Sequence, residues 1–126
     1  MISYELFKVA HLVGVIVLFS VLGGAMVHAI NGGTASTNAA RRLITVLHGT
    51  GLIVVIIAGF GLLARLDLMN GGLPLWVVGK LIIWLVAGLL LTVPRRNPAL
   101  ARPILLAGLP FLAAAAAWLA VYKPGN

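Results

Sequence analysis

The chain has 126 residues, 62% of them hydrophobic and only 9% charged, with a formal net charge of +7. A mean hydropathy of +1.15 excludes a soluble domain, and basic residues gathered at the ends of apolar runs exclude nucleic acid as a partner, because charges placed there meet lipid phosphates. The absence of cysteine excludes disulfides, thiolate metal sites and thiol redox chemistry.

Four apolar runs joined by short polar segments predict an all-α fold: an integral membrane four-helix bundle, one transmembrane domain over residues 1–126. Helix 1 is expected over residues 4–30, closed by Asn31-Gly32-Gly33, where glycine permits the left-handed residue that ends a helix. Val27-His28-Ala29 has the small-x-small look of a signal-cleavage site. The apolar run ahead of it is longer than a signal core and has no basic lead, so it reads as a retained helix. Helix 2 is expected over 42–66, with Thr37 and Asn38 as caps. Asn70-Gly71-Gly72 then breaks the chain before Pro74, and helix 3 is expected over 74–93, stopped by Pro94-Arg95-Arg96-Asn97-Pro98. Helix 4 is expected over 102–122, with a kink at Pro110, whose ring crowds the carbonyl four residues back.

The loops after helices 1 and 3 carry Arg41, Arg42, Arg95, Arg96 and Arg102, against Lys8, Arg65 and Lys123 at the other end. By the positive-inside rule both termini face out, with Tyr4, Trp76, Trp118 and Tyr122 near the outer interface. Glycines in the first three helices allow close helix approach in lipid, where apolar side chains gain little by meeting each other.

Trp76, Lys80, Trp84, Ala87 and Leu91 share one stripe of helix 3. Lys80 is an ionisable group ~9 Å inside the apolar run: either it faces a protein interior or its stem snorkels to the headgroups. His11, ~9 Å above the midplane of helix 1, lies at nearly the same depth, and Gly14 on its stripe would leave space beside the imidazole. His48 lies ~9 Å below the midplane and reads as a histidine bonded to a neighbouring helix, while His28 reads as interfacial. Glu5 and Arg65 fall near the same outer mouth as His11 and Lys80. Imidazole, ammonium, carboxylate, guanidinium and the rings of Trp76 and Trp84 together suit a large, flat, anionic aromatic ligand such as a porphyrin, and an isoprenoid quinone almost as well. Three histidines cannot supply two bis-histidine haems.

Phe7-Lys8-Val9-Ala10-His11-Leu12-Val13-Gly14-Val15 resembles the opening K-x-x-H helix of small bacterial four-helix membrane proteins, the HemJ-type protoporphyrinogen oxidases and CopD-like copper-resistance domains. Trp76-Val77-Val78-Gly79-Lys80-Leu81 resembles the W-x-x-x-K-L helix of the HemJ type. The resemblance implies a bacterial inner-membrane oxidoreductase acting on protoporphyrinogen IX with a b-type haem. It also implies His11 and Lys80 as the functional pair, with His11 at the haem iron. The family pattern carries a tryptophan further along helix 1 and an arginine near its end, whereas this chain has Phe19 and no basic residue between Lys8 and Arg41.

The site expected is thus His11 and Lys80 as catalytic residues, with Trp76, Trp84 and Arg65 joining them in holding haem b. The alternative is a non-enzymatic membrane protein, a homo-oligomeric packing module or a transporter or accessory subunit. A proton-coupled transporter is disfavoured, because Glu5 and Asp67 are the only acids and both lie near the outer interface.

Overall fold

A computed structural model describes residues 3–34, 36–67 and 71–124. Asn70 of the expected chain break lies outside them. Among the described residues there are four helices and no strands, and each helix is long and apolar enough to cross a bilayer. The protein is an all-α four-helix bundle of the multi-pass membrane class.

Helix α1 spans Tyr4–Ile30, opened by the Ser3 side chain, which accepts the Leu6 N–H at 3.2 Å. Helix α2 spans Arg41–Arg65. Its expected caps act in the loop instead: Asn38 Oδ1 accepts the Ala40 N–H at 3.0 Å, and Thr37 Oγ1 accepts the Thr34 N–H at 2.8 Å. Helix α3 spans Leu75–Arg96, with Pro74 as its N-cap rather than its first turn. It runs past the expected stop: the α-helix pauses at Leu91 and resumes over Thr92–Arg96. Pro94, which cannot bond the Leu90 carbonyl, is thereby placed in the first turn of the resumed helix, where a missing N–H costs little. Helix α4 spans Pro98–Tyr122 and begins four residues earlier than expected. Where a kink at Pro110 was predicted, the chain adopts a π-helical segment over Ile104–Gly108. The wider turn supplies the slack that the proline ring needs against the preceding carbonyls.

Two glycines fix how α1 and α2 meet. A Cβ on Gly14 would lie 3.0 Å from Val55 Cγ2, and one on Gly51 would lie 3.3 Å from the Gly14 carbonyl oxygen. Backbone therefore approaches backbone along most of this hairpin, the packing that small residues allow in lipid. Gly79 performs the same service between α3 and α4, where a Cβ would meet Leu119 at 3.0 Å.

The core is unevenly distributed along the bundle. In the half that holds the α1–α2 and α3–α4 loops, Leu18, Leu22, Ala25, Met26 and Ala29 of α1 pack against Ala87, Leu91, Ala101 and Leu109. In the half that holds the termini, a smaller cluster of Leu63, Trp76 and Val77, with Phe60, Leu81 and Leu119, joins α2, α3 and α4. Helix α1 touches α4 through its Pro98–Gly108 part and scarcely beyond. Above Leu109 these two helices diverge. The bundle is closed at one end and hollow at the other.

Candidate ligand cavity

The hollow end holds a half-open cavity of about 530 Å³ to which all four helices contribute. Pockets of this size, apolar with a few convergent polar groups, are typical small-molecule sites. His11 and Lys80, from α1 and α3, both line it, as do Trp76 and Trp84. The stripe read along helix 3 is thus the cavity face of α3. Ala113, Ala116, Ala117 and Ala120 make the opposing wall, and these small side chains on α4 are what leave the volume open.

The imidazole of His11 is held in one orientation. Its Nδ1 lies 3.0 Å from the Val55 carbonyl oxygen on α2. A carbonyl only accepts, so Nδ1 carries the proton and donates, and Nε2 of the neutral ring keeps a lone pair. Gly59 admits the ring, since a Cβ there would lie 3.4 Å from His11 Cε1. The space was expected from Gly14, but that residue is consumed by the α1–α2 contact and cannot also leave room beside a side chain.

Lys80 is half-buried, and among the described residues its ammonium has no hydrogen-bond or ion-pair partner. Of the two readings left open by sequence, the one with Lys80 facing a protein interior fits this placement. Trp84 is fixed by its indole N–H, which donates to the Leu52 carbonyl at 2.9 Å. Trp76, expected in the outer aromatic belt, is buried at 6% exposure, and among the described residues its indole N–H has no partner. Trp118 and Tyr122 are exposed at that end, with ring centroids 5.6 Å apart.

Arg65 does not line the cavity. It sits exposed in the last turn of α2, where its long side chain is solvated outside the helix bundle. Glu5 is likewise exposed on the outside of α1. Two residues that the sequence offered only as interfacial charges take part instead. Lys8 and Lys123 line the mouth, so the cavity carries three lysines, and no acidic side chain is among its lining residues.

The other histidines are spent on structure. His48 is buried, and its Nε2 lies 3.0 Å from the Ala87 carbonyl, tying α2 to α3 in the closed half. His28 Nε2 lies 2.8 Å from the Thr34 carbonyl, and the ring fills the space above Gly33, fastening the α1–α2 loop. Among the described residues no group of three or more His, Cys, Asp or Glu side chains could hold a bare metal ion. The cavity does offer the donor set of a singly ligated haem: one imidazole nitrogen with a lone pair, aromatic walls and cations for carboxylates. An Nδ1–H donated to a backbone carbonyl is also how metal-ligating histidines are commonly oriented.

Comparison with protein-family models, with curated proteins and with solved structures finds no match.

Proposed function

We propose that this protein binds a flat tetrapyrrole bearing carboxylates in the cavity between its helices and acts as an oxidoreductase of the protoporphyrinogen oxidase kind in the bacterial inner membrane. The observation that carries the reading is the pairing of a 530 Å³ apolar cavity with an oriented imidazole and three lysines that have no acid among them. A neutral site would suit a quinone, but a quinone leaves all three cations uncompensated. An anionic ligand compensates them.

His11 Nε2 is the atom that would hold the iron of haem b, or accept a proton from a bound substrate. Haem b, when bound, supplies a one-electron acceptor whose potential the surroundings of the iron tune. The chain itself supplies apolar alanine and aromatic walls, holds the His11 ring through Val55, and offers the Lys80 ammonium to a carboxylate or to developing negative charge. The five arginines at the closed end favour a cytoplasmic placement for that end and an outward-facing cavity.

Membranes containing the protein should oxidise protoporphyrinogen IX to fluorescent protoporphyrin, and His11→Ala and Lys80→Ala should lose the activity while inserting normally. Fluorescence development no faster than in membranes lacking the protein would overturn the enzymatic reading.

A second reading, a non-enzymatic homo-oligomeric packing module or accessory subunit, draws on Gly24 and Gly49, which have nothing within 4 Å of where a Cβ would stand. Such bare helix surface accepts another transmembrane helix closely. Unchanged assembly and growth with His11 and Lys80 both replaced by leucine would favour it.

A further inference from the structure

We infer that Lys8 and Lys123 form a clamp for the anionic head group of the ligand, an assignment that rests on the cavity being a ligand site. The two lysines come from opposite ends of the chain and line the same cavity, Lys8 exposed and Lys123 half-buried. Lys123 follows the last turn of α4 with a left-handed backbone, φ +48°, its N–H donating to the Leu119 carbonyl at 3.0 Å. A left-handed residue other than glycine, asparagine or aspartate is uncommon and carries strain. Here it closes the helix and turns the lysine stem back toward the cavity. The ammonium donates to the Ala120 carbonyl at 2.7 Å and stands 5.6 Å from the Trp76 ring centroid. Lys8 Nζ stands 5.8 Å from the Tyr4 ring centroid.

Both ammonium groups are thus held over aromatic faces and retain N–H donors, since each has three and Lys123 uses one. No acidic side chain lines the cavity, so a carboxylate arriving with a ligand would meet these cations without a competing acid on its walls. Two ammonium groups on one cavity fit a carboxylate, while its aliphatic and aromatic walls fit an apolar body. An interfacial lysine serving only lipid phosphates would gain nothing from being turned inward.

The test uses the full chain in an uncharged detergent, with tryptophan fluorescence quenching as the readout, because Trp76 and Trp84 line the cavity. Two acid and ester pairs serve as probes: protoporphyrin IX with its dimethyl ester, and a brominated fatty acid with its methyl ester. The free acids should bind roughly tenfold or more tighter than their esters, the scale of a charge-assisted contact. Lys8→Gln with Lys123→Gln should erase that preference without weakening ester binding, and Lys8→Arg with Lys123→Arg should restore it. Discrimination by the fatty acid pair with no porphyrin binding would uphold the clamp and overturn the tetrapyrrole reading. Equal binding of acid and ester, a preference unaffected by the glutamine variants, or no binding of any probe would overturn the clamp.

Discussion

The Nδ1 of His11 on α1 donates to the Val55 carbonyl on α2 across 3.0 Å, so the ring presents Nε2 as a fixed acceptor. The bond is made beside the bare backbone of Gly59, where a Cβ would lie 3.4 Å from His11 Cε1. It makes the tight α1–α2 hairpin the platform for the chemistry and leaves α3 and α4 to shape the ligand.

Gly59 is therefore sensitive to side-chain size. Gly59→Ala brings a methyl to 3.4 Å from His11 Cε1, the edge of ordinary van der Waals contact, and we expect haemin affinity to stay within about twofold of wild type. Gly59→Leu should displace the ring and abolish binding. A haemin titration followed by absorbance checks both; wild-type affinity in Gly59→Leu would show that the ring orientation is irrelevant.

The helix-approach glycines separate into those that carry packing and those that do not. Gly51→Val would force a side chain against the Gly14 carbonyl and Leu18, and should cost about 1–3 kcal/mol, the usual penalty of overpacking. At exposed Gly24 an added Cβ meets nothing within 4 Å, and Gly24→Leu should stay within about 0.5 kcal/mol of wild type. Thermal unfolding in detergent distinguishes the two, and a large loss in Gly24→Leu would instead reveal a second copy seated on that surface.

Trp84 and Trp76 should respond oppositely to phenylalanine. Trp84→Phe leaves the Leu52 carbonyl without its indole donor and should destabilise the ligand-free protein by about 1 kcal/mol. Trp76→Phe removes a buried donor that has no partner among the described residues, so it should be neutral or stabilising. Paired unfolding measurements read both effects, and equal destabilisation by the two would contradict the assignment.

Much of this was legible in the sequence, because hydrophobic length and spacing report directly on a membrane helix. The α1 limits and the shared depth of His11 and Lys80 follow from the rise per residue, and the common face of Trp76, Lys80 and Trp84 from the helical repeat. What failed depends on neighbours. Gly14 and Gly59 look alike in sequence, and only the crossing of α1 and α2 decides which one packs backbone and which one frees an imidazole. Arg65 and Lys123 both end helices at the same end of the bundle. The left-handed backbone at Lys123 brings its side chain to the mouth, whereas Arg65 remains outside. Pro110 forbids a regular helix, but whether the chain kinks or widens into a π-turn depends on packing against the rest of the bundle.

Orientation can be read with single cysteines, since the chain has none of its own. In intact cells Ser3→Cys should react with a membrane-impermeant maleimide added outside, and Ser36→Cys in the loop before Arg41 should react only after lysis. The reverse pattern would put the cavity mouth on the cytoplasmic side.

The central claim is that the hollow half of the bundle holds a tetrapyrrole against His11. Its most direct test is the absorption spectrum of the detergent-purified protein loaded with haemin, before and after dithionite, in wild type, His11→Ala and the cavity-filling variant Ala116→Phe. The account predicts a Soret band with reducible α and β bands in wild type, lost in both folded variants. A colourless wild type, or a spectrum that both variants share with it, would contradict the account.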